Sequence, residues 1–158
     1  MRIKNFEKWL KQNELSLKCK PRTQRASYIE FFEGEFKGEK VPEFKRGEIY
    51  FAKLTDSAKV RPFLIYQNDY LNRACFEDLY HTVVVLPLSG QILGGDYRVF
   101  IKKRDLMSKD SEIVATAIGI ISTGKIIFSK GMVTKLTKEE MKKVDETVMK
   151  VLGVDIAI

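Results

Sequence analysis

Arg61 stands directly ahead of Pro62 and a β-type run in the stretch KVRPFLIYQND, residues 59–69. A strand needs no cation at its entrance, whereas an anion site is well served by one fixed beside a strand. A guanidinium stays charged and holds several donors in one plane. It can therefore grip a phosphate and stabilise the negative charge that grows during phosphoryl transfer. Ser89, in PLSG at 87–90, sets a hydroxyl just beyond a second apolar run, where it could donate to a phosphate oxygen. A Ser-Gly turn explains the same spacing equally well. An arginine and a hydroxyl are in principle enough to cleave RNA, because the substrate's own 2′-hydroxyl attacks the adjacent phosphate. The protein then has only to orient the groups, assist proton transfer and neutralise charge.

Other stretches offer chemistry of other kinds. His81 is the single histidine and heads the run TVVVLPL, where it could exchange protons near neutral pH. One histidine does not make a metal site, no Cys or carboxylate cluster accompanies it, and a polar strand end accounts for it. The stretch GIISTGKI, 119–126, has the Gly-x4-Gly-Lys spacing of a phosphate loop, but Ile126 stands where Ser or Thr must reach magnesium. The residues after it read as strand where that motif needs a helix, so a turn between strands is expected. KKRD, 102–105, reads as a solvated turn that adds to electrostatic steering. The candidate RNA contacts are thus Lys59, Arg61, Ser89, Lys102, Lys103 and Arg104. Neither metal nor cofactor is implied. Cys19 and Cys75 are too few for a disulfide framework or a zinc knuckle, which fits a reducing compartment.

The elements that must hold these residues follow from patterning. The 158 residues suffice for one compact core and are few for two ordinary domains. An excess of 28 Lys and Arg over 21 Asp and Glu gives a net charge of +7, which favours a polyanionic partner. No apolar run reaches the ~20 residues of a bilayer span, and the first residues lack the apolar centre of an export signal, so a cytoplasmic protein is expected. Residues 1–42 read as a helical extension. Phe6, Trp9 and Leu10 share one helical face, and Tyr28 to Phe36 form an aromatic-rich second segment flanked by Gly34 and Gly38. Residues 43–158 carry seven short β-type runs: GEIYFAKL, PFLIYQ, TVVVLPL, YRVFI, EIVAT, IGII and KIIFSKGMV. Thr137 and Glu140 form a capping box, Met141, Val144, Val148 and Leu152 follow at helical spacing, and Gly153 supplies the stop. A compact barrel or sandwich with a C-terminal helix packed on it is predicted.

The runs KRGEIYFAKL, VRPFLIYQND, TVVVLPLSG and MVTKLTKEEMKKVDETVMKVLG together resemble the MazF/PemK toxins of bacterial toxin–antitoxin systems. The resemblance extends from about Lys45 to Gly153 in the family's order. It implies a small CcdB-like, SH3-like β-barrel, mainly β with a C-terminal helix, that forms homodimers and pairs with a cognate antitoxin. It also implies metal-independent cleavage of single-stranded RNA to a 2′,3′-cyclic phosphate. Arg61 falls on the family's active-site arginine, and Ser89 on the Ser or Thr after the third strand. This chain departs from the family in two places. Where ribonuclease members carry Gln and Arg it reads Val114, Thr116, Ala117 and Gly119, and its loop TDSAK lacks the usual Glu-Gln pair. A non-catalytic member that binds RNA, or a protein target such as DNA gyrase, is the alternative.

Overall fold

The computed structural model describes residues 40–154, so the two helical segments expected within 1–42 lie outside the described residues. Seven strands form: β1 (Glu48–Ala52), β2 (Arg61–Ile65), β3 (Thr82–Ser89), β4 (Arg98–Ile101), β5 (Ser111–Val114), β6 (Gly119–Ser122) and β7 (Met132–Lys135). Their order in the sheet is β4-β5-β3-β2-β1-β7, with β6 also paired to β3, and every pairing is antiparallel. The sheet curls into a half-barrel. Helix α1 (Asp69–Phe76) follows β2, and helix α2 (Lys138–Leu152) ends the described chain. No helix among the described residues is long and apolar enough to cross a membrane.

Strand β3 is the hinge of this architecture. One edge pairs with β2, while the other pairs with β6 over Thr82 to Val85 and with β5 over Leu88 and Ser89. Pro87 lies at the changeover. It has no N–H to give a ladder, so the strand exchanges partners where a donor is already missing. Pro62 is placed by the same rule, since the β2–β3 ladder begins one residue later, at Phe63.

Both faces of the central strands are buried, which explains why their sequences read as near-continuous apolar runs. Leu64, Leu86 and Leu88 join Ile49, Ile113 and Val133 in a core covered by Val144 and Val148 of α2. Phe63, Ile65, Val83 and Val85 point the other way, against Phe44, Tyr50 and Cys75 of α1. Phe128 closes this second core by stacking on Phe44 at 5.5 Å and meeting Tyr50 edge-on at 5.2 Å.

Helix α2 forms as its caps predict. Thr137 accepts from the Glu140 amide, Glu140 reaches back to the Thr137 amide, and Gly153 ends the helix at φ 66°. Its inner face differs at one position: Leu152 is exposed, and Val151 packs on the core instead. The helix is docked through Asp145, which accepts from Tyr66 Oη at 2.8 Å and pairs with Arg46. Burial, reinforced by that carboxylate, pushes the Tyr66 phenol up to about 12.

Two of the expected runs are shorter as strands. PFLIYQ leaves the sheet at Ile65, and Asn68 just beyond it is the N-cap of α1, its side chain accepting from the Leu71 amide at 3.0 Å. KIIFSKGMV was read as one strand. Only its end is β7; Thr123–Lys125 and Phe128–Lys130 are single 3-10 turns, with an isolated bridge from Ile126 to Ala52 between them. The phosphate-loop spacing at 119–126 is therefore a strand and a turn, and no helix follows it.

Candidate active site

Arg61 is the first residue of β2 and Ser89 the last of β3. The register pairs Phe63 with Pro87, Leu64 with Leu86 and Ile65 with Val85. Carried two residues further, it sets Arg61 opposite Ser89 at the open end of the ladder. Cross-strand neighbours stand about 5 Å apart at Cα, so the cation and the hydroxyl share one rim. Both line a cleft of about 470 Å³. Its apolar wall includes Phe51, Pro62, Leu88 and Met107, and its polar wall Gln91, Ser108, Lys109 and Ser111. Arg61 is exposed and Ser89 half-buried, the exposure a solvent-borne polyanion requires.

The Ser89 hydroxyl is already oriented. It accepts from the Gln91 amide at 3.2 Å and lies 3.4 Å from the Gln91 carbonyl, to which it donates. Beyond this turn, residues 91–97 are exposed, and the loop is held by Glu112, the cross-strand partner of Ser89 on β5. That carboxylate is buried. It accepts from the Leu93 amide at 3.0 Å, the Gly94 amide at 2.8 Å and Arg98 Nη1 at 3.1 Å. Burial opposes its ionisation, but the two amides and Arg98 outweigh burial and hold it below the usual carboxylate range.

Lys109 also lines the cleft, although nothing in its sequence context points there. A Cβ added to Gly90 would overlap the lysine side chain, 2.5 Å from Nζ, so the lysine lies against the Gly90 backbone beside Ser89. A second cation thus joins Arg61 in the cleft. Its position depends on the β5 register and leaves no mark in local spacing.

The remaining candidates are dispersed. Lys59, Lys102 and Lys103 are exposed, and none of them lines the cleft. Arg104 has a different employment. Its Nη1 and Nη2 each donate at 2.7 Å to one oxygen of Glu140, its Nε donates to Thr134 at 3.1 Å, and Nη2 also reaches the Lys135 carbonyl. It ties the β4–β5 connection to the first turn of α2. His81 precedes β3 at the end remote from Ser89, roughly 25 Å along the strand at about 3.3 Å per residue. Its Nδ1 lies 3.6 Å from Asp78. Val114, Thr116, Ala117 and Gly119 fall on the end of β5, the following 3-10 turn and the start of β6, and none lines the cleft.

Residues 45–152 match the family described as PemK-like, MazF-like toxin of type II toxin-antitoxin system. The chain belongs to this family. Solved structures share the fold at low identity. An endoribonuclease in complex with its cognate antitoxin, from Mycobacterial species, superimposes with TM-score 0.59 at 19% identity, over 72% of this chain and 98% of the other. The Mycobacterium tuberculosis toxin MazF-mt6 gives 0.57 at 16% identity, over 69% and 99%. A MazE-MazF structure from Deinococcus radiodurans gives 0.55 at 13% identity, over 74% and 100%.

Proposed function

We propose that this protein is the endoribonuclease toxin of a toxin–antitoxin pair, cleaving single-stranded RNA in the cytoplasm without a metal ion. The observation that carries the reading is that Arg61 and Ser89, at the ends of neighbouring strands, line one cleft in a chain of this family. A scissile phosphate seated there meets the Arg61 guanidinium and the Ser89 hydroxyl on its non-bridging oxygens, with Lys109 adding charge from beside Gly90. The neighbouring 2′-oxygen attacks phosphorus, the bond to the 5′-oxygen breaks, and a 2′,3′-cyclic phosphate and a free 5′-hydroxyl result. One proton leaves the 2′-hydroxyl and one is gained by the 5′-oxygen, so none is consumed overall. The planar donors of Arg61 match the charge that builds on the equatorial oxygens as the bonds exchange.

The partners follow from the same family. Structures that share this fold are an endoribonuclease with its cognate antitoxin and a MazE-MazF pair, which supports a cognate antitoxin for this chain; the homodimeric toxin rests on the family resemblance alone. A second reading draws on a specific observation: Val114, Thr116, Ala117 and Gly119 stand where ribonuclease members carry Gln and Arg, and none of them lines the cleft. On that reading the protein binds RNA, or a protein target such as DNA gyrase, without cleaving. Purified protein incubated with mixed-sequence RNA in excess EDTA separates the two. Fragments with cyclic-phosphate ends support the toxin nuclease; intact RNA contradicts it.

A further inference from the structure

Glu112 is the one carboxylate of the β-sheet buried almost completely, and nothing in the cleavage chemistry uses it directly. A buried charge is costly unless several donors meet it. Here the donors are the Leu93 and Gly94 amides and Arg98, all on or just after the exposed connection whose first residue, Gln91, lines the cleft. Gly94 and Gly95 both hold positive φ, at 68° and 98°, a backbone with little stiffness of its own. The carboxylate supplies what the backbone lacks.

A continuous polar chain leads from this carboxylate to the site. Arg98 Nη1 donates to Glu112 at 3.1 Å and also lies 3.5 Å from the Gln91 carbonyl. The Gln91 carbonyl in turn accepts from the Ser89 hydroxyl, whose oxygen accepts from the Gln91 amide. We propose that Glu112 and Arg98 are positioning residues for Ser89, acting through the backbone of Gln91. This inference rests on the cleavage reading above. Ser89 has a single proton, and in this structure it goes to the Gln91 carbonyl. Arg98 shares that carbonyl and so weakens it as a rival acceptor, leaving the proton available to a phosphate oxygen. Glu112 fixes Arg98 and the rim amides, so the Gln91 turn stays within reach of Ser89.

The test measures single-stranded RNA cleavage by the full chain as separate kcat and KM values, beside amide hydrogen exchange at Gln91, Leu93 and Gly94. Glu112→Gln keeps the shape and removes the charge. It is expected to lower kcat about tenfold with KM within about twofold, and to speed exchange at Leu93 and Gly94. Arg98→Met tests the same link from its other end, leaving Glu112 its two amide donors, and Arg98→Lys should recover part of what Arg98→Met loses. An active wild type with a folded, fully active Glu112→Gln overturns the positioning role alone. So does a rise in KM with kcat unchanged, or a kcat loss that follows the unfolded fraction. A wild type that leaves RNA intact overturns the cleavage reading, and the positioning role with it.

Discussion

Arg104 and Glu140 meet in two parallel hydrogen bonds of 2.7 Å each, one from each terminal guanidinium nitrogen to each carboxylate oxygen. The same carboxylate closes the capping box of α2, so one contact joins the sheet to the start of the helix. Arg104→Ala should therefore act on stability, lowering it by about 2 kcal/mol as a bidentate charged pair and the bond to Thr134 are lost. Thermal melting checks this. A large loss of RNA affinity with an unchanged melting temperature would return Arg104 to the RNA-binding surface.

The pair also fixes an acid limit. Arg104 holds the Glu140 carboxyl below its ordinary range, with the Thr137 amide helping and burial opposing. A carboxyl depressed in the folded state contributes stability that is complete above its unfolded pKa of about 4.3 and is lost as pH falls through the folded value. The melting temperature of the wild type should thus fall below about pH 4, and Glu140→Gln should flatten that part of the profile. Parallel profiles would show that the pair contributes nothing.

Much of α2 was legible because caps are local: Thr137, Glu140 and Gly153 announce both ends within the helix's own sequence. Six of the strand runs were legible through their β-branched and aromatic content, whereas KIIFSKGMV has that content but holds only the start of β7. Helix α1 was not, because of its eight residues only Asn72 and Cys75 are buried, and its contact with the sheet is partly polar, Gln67 donating to Asn72 at 3.0 Å. Arg61 and Ser89 stood out as candidates by their places at strand ends, and both line the cleft. Lys109 reaches the cleft, and Arg104 leaves the exposed surface, through pairings distant in sequence; Arg104 lies 36 residues from Glu140. Such pairings belong to the register, which residue types alone do not set.

Asn68 gives the missed helix its own test. Asn68→Ala removes the acceptor for the Leu71 amide and should cost about 1 kcal/mol. Asn68→Asp or Asn68→Ser should restore most of it. Chemical denaturation with an unchanged slope would register the difference as a shifted midpoint; three identical midpoints would contradict the cap.

Cys75 should be chemically silent in the native protein. Burial pushes its thiol up to about 11, only partly offset by Gln67, and it donates to the Thr82 carbonyl at 3.6 Å. Alkylation at pH 8 followed by peptide mapping should leave Cys75 unmodified until denaturant is added. Rapid native labelling at this position would show that α1 opens readily.

Lys109 should act as a cation of the cleft. Lys109→Ala is expected to weaken RNA binding and reduce its salt dependence by about one phosphate contact, against a wild type whose affinity falls about tenfold or more from dilute to physiological salt. Gly90→Ala should reproduce part of the loss by pushing the lysine aside. Binding indifferent to salt would contradict a phosphate-directed site.

The most direct measurement is single-turnover cleavage of single-stranded RNA by wild type, Arg61→Lys and Arg61→Ala, with melting curves for all three. Arg61 is exposed at the first position of its strand, so stability should be nearly unchanged. Loss of both charge and planar fork should slow Arg61→Ala about a hundredfold, or roughly 2.7 kcal/mol of transition-state stabilisation, and lysine should recover only part. Full activity in a stable Arg61→Ala variant, or a loss explained entirely by a lowered melting temperature, would contradict the assignment of Arg61 to the scissile phosphate.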